Sequence, residues 1–308
     1  MKRYRRELSV TACLSALLLV LAVVVPAFFG RQQLLTLLTT AAPVLVAACG
    51  MTLVILTRQI DISIGSQFAL CSVAAGLMAK AGLPMPLVVL GSVAGGAALG
   101  AFNGWLVAGL GLPSIVVTLA TFVTWRETLR WSREGEFVKD LADGFQWWGL
   151  DQGRGQTVIL IGAMGVFLIG VIFLKKVGAG RFFYAVGSDR EAARLAGIRP
   201  AAVTFGAFVI LGALIGVAAV LNAVRFADVD PKTGTGLEMQ VIAAVVVGGV
   251  AISGGRGTLW GVLAGVLLLA CIAPALVFLK LPPQWEKAIQ GAIILIAVAA
   301  DGGRGKSS

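Results

Sequence analysis

The sequence predicts an all-α, polytopic membrane helical bundle of about ten transmembrane helices. Three observations carry that reading: an apolar excess, regularly spaced long apolar runs, and an uneven distribution of basic residues between the connecting loops. Of 308 residues, 58% are hydrophobic and 13% charged, where a soluble domain is about half apolar and roughly 25% charged. The mean hydropathy is +0.93. A water-soluble fold could not hide that much apolar surface. The 40 glycines fit the same class, because glycine lets membrane helices approach closely.

A hydrocarbon core ~30 Å thick requires ~20 apolar residues per spanning helix. Runs of that kind, separated by charges, Pro and Gly, lie near 8–29, 34–57, 63–80, 84–108, 113–131, 156–174, 200–223, 238–253, 257–279 and 285–300. Ten spans put both chain ends on one side. The first run follows Met1-Lys2-Arg3-Tyr4-Arg5-Arg6-Glu7 and resembles a signal peptide. Its apolar core is long, no Ala-x-Ala site follows and further spans come after, so an uncleaved first helix is expected. With a cytoplasmic N-terminus, the inner loops hold fourteen of the 25 basic residues against five of the 15 acidic ones, and the outer side is nearly balanced. That asymmetry favours cytoplasmic N- and C-termini. It also accounts for most of the net charge of +10 without a nucleic-acid partner.

Histidine is absent, which removes the commonest general base and metal ligand. Cys13, Cys49, Cys71 and Cys271 sit in apolar runs without CxxC or Cys/His spacing, so neither a disulfide framework nor a metal site is expected. No catalytic residues and no cofactor are assigned, and a membrane-embedded enzyme is disfavoured.

The chain reads as a single transmembrane domain, 1–308, with two soluble segments. Residues 132–155, with Trp131, Trp147 and Trp148 near its edges, form the outer (periplasmic) loop, and residues 175–199 the largest inner (cytoplasmic) one. The tryptophans read first as an interfacial belt. A weak internal echo links Ile60-Asp61-Ile62-Ser63-Ile64-Gly65 to Val250-Ala251-Ile252-Ser253-Gly254-Gly255; each ends an inward-running span and precedes a Gly-rich apolar helix. Duplicated halves are common in transporters.

Within the inner loop, Ser188-Asp189-Arg190-Glu191 fits a capping box and Gly197 a helix stop. Between them Ala192, Ala193, Leu195 and Ala196 give a short helix of small residues, flanked by Arg190, Arg194 and Arg199. A helix that short needs something packed on it. It is either a connector on the membrane surface or a docking helix for a cytoplasmic partner. The tail Gly302-Gly303-Arg304-Gly305-Lys306-Ser307-Ser308 suggests a phosphate loop but fails as one, since Ala300 replaces the first glycine and no helix follows. It reads as a positive-inside anchor. Polar residues inside spans are few: Gln67, Asn103, Asn222 and Gln240, with Asp61 and Glu238 near span ends. They are candidates for a translocation pathway, or for hydrogen bonds between helices.

At these residues the chain resembles the permeases of the ribose, xylose, arabinose and galactoside class of ABC importers, over nearly its whole length. Ile60-Asp61-Ile62-Ser63-Ile64-Gly65-Ser66 is similar to the family's Ile-Asp-Leu-Ser-Val-Gly-Ser. Phe102-Asn103-Gly104, Leu112 through Leu119, Gly180 through Gly187, Ala192 through Ile198, and Glu238 through Gly249 with Gly254-Gly255-Arg256-Gly257 follow in the family's order. Arg58-Gln59 stands where the family commonly has a Gly pair, and Val250-Ala251 where it has Thr-Ser. The Arg58 variant, with Thr233 through Met239 and Pro282-Pro283-Gln284-Trp285, is more similar to the branch serving rhamnose or the furanosyl autoinducer.

The resemblance implies an ABC importer permease fold in the bacterial inner membrane. It implies an ABC ATPase subunit, a periplasmic sugar-binding protein and a second permease subunit, identical or paralogous, as partners. Ser188, Asp189, Arg190, Glu191, Ala192, Ala193, Arg194, Leu195 and Gly197 would couple to the ATPase, and Asp61, Ser63, Gln67, Asn103, Asn222, Glu238 and Gln240 would line the pathway. Arg126, Arg130 and Arg133 are candidates to meet acidic lobes of the binding protein. The cargo implied is a monosaccharide such as rhamnose. The rival reading is a secondary transporter or channel working without an ATPase.

Overall fold

The computed structural model describes residues 5–282 and 284–302 and is helical almost throughout. The long helices are α1 (Arg5–Val24), α2 (Arg31–Leu56), α3 (Ile64–Lys80), α4 (Met85–Gly104), α5 (Ser114–Arg133), α6 (Gln152–Lys176), α9 (Pro200–Ala223), α11 (Leu259–Phe278) and α12 (Trp285–Gly302). Three shorter ones, α7 (Gly178–Ser188), α8 (Arg190–Leu195) and α10 (Leu237–Val247), complete the set. The basic tail from Gly303 and the first four residues, including Lys2 and Arg3, lie outside the described residues.

Each expected span has a helix, but length separates them. Among the described residues, five helices are long and apolar enough to cross a membrane: Arg31–Leu56, Met85–Gly109, Gln152–Lys176, Pro200–Ala223 and Leu259–Phe278. The run expected at 238–253 is shorter than expected, because α10 ends at Val247, where Gly248-Gly249 turn the chain with Gly249 at φ 91°. Eleven residues rise only ~16 Å, about half a hydrocarbon core.

Helix α2 is the axis of the bundle. Its residues from Ala41 to Leu56 are all buried, packed by α9, α6, α11 and α10. A helix that is apolar all round belongs in such a place. By contrast α6 turns Ile161, Ile169 and Ile172 outward, and α4 turns out Leu87 and Leu90, the surface that lipid would cover. Helices α4 and α9 meet most closely: a Cβ on Gly96 would strike the Gly212 carbonyl, and one on Gly212 the Gly96 carbonyl. Only backbone separates them there, the small-residue packing that membrane helices favour.

The chain between α9 and α10, residues 224–236, is not helical and is only partly covered: Val224, Val229 and Pro231 are buried, while Phe226, Asp228 and Lys232 are exposed. Val229 pairs with Val138 of the α5–α6 loop, their amides and carbonyls exchanging bonds of 2.9 and 3.1 Å. Trp147 donates its N–H to the Val224 carbonyl at 2.6 Å. Trp147 and Trp148 are therefore half-buried packing residues of this loop, while Trp131 alone of the three is strongly exposed.

Candidate coupling and translocation site

Helix α8 forms one exposed end of the bundle. The sequence pointed to Ser188 as its cap, but Ser188 closes α7, and Asp189 is the cap: its Oδ1 accepts from the Glu191 and Ala192 amides at 2.9 Å each. With Asp189 as cap, Glu191 is free to take a bidentate pair with Arg194, at 2.6 and 3.0 Å. This hydrogen bonding raises the Arg194 guanidinium above its usual pKa; being exposed, the pair adds little stability. Gly197, at φ 82°, closes the helix as expected from sequence. Ala193 is buried against the bundle, whereas Leu195 is 78% exposed. A six-residue helix offering an uncovered leucine between arginines lacks half of its packing.

Helix α8 is fastened to the bundle through a corner whose bonds the sequence did not show. Helix α2 ends in a Schellman motif: the Gln59 amide reaches the Val54 carbonyl at 3.1 Å and the Arg58 amide the Ile55 carbonyl at 2.9 Å. The residue at the turn adopts left-handed geometry and is usually glycine; here it is Arg58, at φ 63°. An L-residue there costs about 1–2 kcal/mol. The side chain offsets this, since Nε donates to the Gly187 carbonyl at 2.6 Å and Nη2 to the Ser188 carbonyl at 2.7 Å. Those are the free carbonyls at the end of α7, where a cation is also favoured by the helix dipole. The remaining free carbonyl of α2, that of Leu56, accepts the Gly255 amide at 3.0 Å. Gly187 has no room for a side chain, because a Cβ would meet the Leu56 carbonyl and the Gly255 nitrogen. The Tyr184 hydroxyl donates to the Gly257 carbonyl at 3.0 Å. Gly254 and Gly255 of the second echoing segment thus lie beside α7 against Leu56 and Arg58, just ahead of the first.

Four of the seven expected pathway residues gather just beyond this corner. Asp61 is wholly buried and accepts from the Ser63 amide (2.8 Å), the Ser63 hydroxyl (2.6 Å), Gln67 Nε2 (3.1 Å) and Asn103 Nδ2 (3.4 Å). Thr118 Oγ1 of α5 accepts the Ile62 amide at 3.1 Å. A buried carboxylate is tolerated only when donors surround it. Asp61, Ser63, Gln67 and Asn103 are all 0% exposed; in this conformation they tie α3 to α4, with Thr118 of α5 held through the adjacent Ile62, and are closed to solute. The Gln67 and Asn103 carbonyl oxygens have no hydrogen-bond partner.

The other three lie apart. Glu238, at the start of α10, sits over Gly65 and attracts Arg126 of α5, whose Nη1 donates to the Thr233 carbonyl at 3.0 Å. Arg126 is therefore drawn inward by the irregular segment and is not part of an open outer face. Arg130 is the exposed member of that set, near Glu127 at 3.6 Å, and Arg133 is half-buried, reaching the Glu136 and Phe137 carbonyls. Asn222 joins Thr233 (3.4 Å) and Arg225 (3.3 Å), and Arg225 continues to Thr40 at 2.8 Å. Gln240 lines a cavity of about 340 Å³ between α2, α10, α11 and α12, together with the polar residues Gln33, Thr36, Thr40 and Glu286 and the apolar Leu269, Pro274 and Phe278. Pro274 has no N–H to give the Ala270 carbonyl, and Ala270 is also in the wall. Among the described residues no three His, Cys, Asp or Glu side chains gather as a metal site.

Comparison with known proteins gives a consistent picture. Residues 33–298 match the family described as "Branched-chain amino acid transport system / permease component". The "Autoinducer 2 import system permease protein LsrC" of Enterobacter sp. (strain 638) is 36% identical over 297 residues, 96% of this chain and 87% of the relative. The proteins of the same name from Salmonella typhi and Photorhabdus luminescens are 34% and 33% identical, each over 96% of this chain and over 86% and 90% of their own. No solved structure matches.

Proposed function

Since the chain belongs to this family of ABC-importer permeases, we propose that it carries a small polyhydroxylated solute across the bacterial inner membrane as the translocating subunit of an ATP-driven importer. The observation that carries this reading is α8: a capped, six-residue, half-covered helix fixed by Arg58 and Gly187 to the corner from which α3 starts. Its exposed side, with Arg190, Arg194 and Leu195, is the surface for a separate ATPase subunit, which supplies the hydrolysis. Closure of that ATPase moves α8, and the bundle alternates between outward- and inward-open states; ATP shifts their populations only through contacts that differ between them. A second permease subunit completes the path, and an extracytoplasmic binding protein delivers the solute onto the face that carries Arg130 and Arg133.

The substrate class follows from three considerations. The relatives are named for autoinducer 2. Motif similarity favours the branch serving that furanosyl compound or rhamnose. The cavity beside Gln240, about 340 Å³ in volume, lies at the small end of ligand pockets, with amide, hydroxyl and carboxylate groups from α2, α10 and α12 for hydroxyls and Pro274 and Phe278 of α11 for a C–H face. A carrier acting without an ATPase fits neither the family nor α8. The test is uptake into proteoliposomes holding this permease, its ATPase and its binding protein, with rhamnose and autoinducer 2 offered separately. ATP-dependent accumulation of one of them, and none when α8 is deleted, supports the proposal. Accumulation without ATPase refutes it.

A further inference from the structure

The corner at Arg58 is more than a helix ending. Its backbone belongs to the Schellman turn of α2, its guanidinium to the last carbonyls of α7 one residue ahead of the α8 cap, and its stem lies against Gly254. Three residues further along is Asp61, bonded to α3 through Ser63 and Gln67 and to α4 through Asn103, while the adjacent Ile62 amide is held by Thr118 of α5. Two donors of one planar group hold two successive carbonyls, so a displacement of the α7 end cannot pivot about a single bond. We infer that Arg58 is a positioning residue for transport: it makes the α7–α8 end and the Asp61 clasp move as one piece, so that a push on α8 is delivered to α3, α4 and α5. This rests on the transport reading above and names the route by which hydrolysis reaches α3, α4 and α5.

The variant Arg58→Gly isolates this role, because glycine adopts the left-handed turn without strain and leaves every backbone bond of the corner in place. The reconstituted importer is assayed for uptake and for ATP hydrolysis in the same vesicles, using whichever of rhamnose or autoinducer 2 the wild type accumulates. The expected result is continued hydrolysis with solute moved per ATP down about tenfold, a typical coupling energy, unchanged thermal unfolding, and partial recovery in Arg58→Lys, which keeps the charge and loses the fork. An unchanged ratio overturns the inference. So does a proportional fall of uptake and hydrolysis, the signature of a merely structural residue. Failure of the wild-type complex to link hydrolysis to uptake at all refutes the transport reading instead.

Discussion

Replacing Gly187 by alanine is the sharpest test of the α2–α7 junction. The new Cβ would overlap the Leu56 carbonyl and the Gly255 nitrogen, both backbone atoms that no rotamer change can move aside. Relief requires parting α7 from the corner, which breaks the Gly255-to-Leu56 bond at 3.0 Å. Leaving that buried pair unsatisfied costs ~1–3 kcal/mol, and the overpacking costs a further ~1–3 kcal/mol. A total near 3 kcal/mol lowers the midpoint by about 6–12 °C at the roughly 2–4 °C per kcal/mol of a large domain. The measurement is thermal unfolding of the purified permease in lipid nanodiscs, with Gly165→Ala as control, since nothing lies within 4 Å of a Cβ there. A Gly187→Ala midpoint within about a degree of that control refutes the close contact and, with it, the account of how α7 is seated.

Three further outcomes follow. Asp61→Leu leaves the Ser63 amide and hydroxyl without their acceptor and Gln67 and Asn103 with only the Ser63 hydroxyl, and is expected to destabilise by about 3 kcal/mol or more, read as loss of folded protein on size exclusion; Asp61→Asn, which keeps one oxygen, should lose less. Asp189→Ala removes the α8 cap, worth about 1 kcal/mol, so the Glu191 and Ala192 amides should exchange faster with deuterium while α2 is unchanged. Ala273→Phe fills the cavity beside Gln240 and is expected to cut uptake at least tenfold, about 1.4 kcal/mol, while the complex still assembles and hydrolyses ATP; normal uptake would remove that cavity from the solute's route.

The sequence showed the helices better than their connections. The runs at 34–57 and 200–223 coincide closely with Arg31–Leu56 and Pro200–Ala223, because length and apolarity are local properties. The run at 238–253 was read through its end, since Val250 to Ile252 keep the apolar pattern past the glycine turn that stops α10 at Val247. The α8 cap was placed one residue early: Ser188 and Asp189 are both capping residues, the Ser-x-x-Glu spacing favoured the first, and α7 takes Ser188 into its own last turn. Asp61, Gln67 and Asn103 were singled out as polar residues in apolar runs, a strong signal, but whether they meet a solute or each other depends on packing between helices. The inward turn of Arg126 and the Arg58 fork could not be read at all, since their partners are backbone carbonyls of Thr233, Gly187 and Ser188. Side chains advertise chemistry in a sequence and carbonyls do not. The one available signal was Arg58 itself, a bulky residue at a site that family resemblance assigns to glycine.

The depth of α2 has a consequence for biogenesis. This segment leaves the ribosome before α6, α9, α10 and α11, which enclose it. Until they arrive it must sit in lipid as an unescorted span, so its residues answer to two solvents in turn. Its buried hydroxyls suit that interval: Thr39 donates to the Leu35 carbonyl and Thr52 to the Ala48 carbonyl, each within the same helix. The segment asks nothing of its neighbours while it waits, and a polar substitution there that relied on a later helix would be penalised at the translocon before the fold existed to reward it.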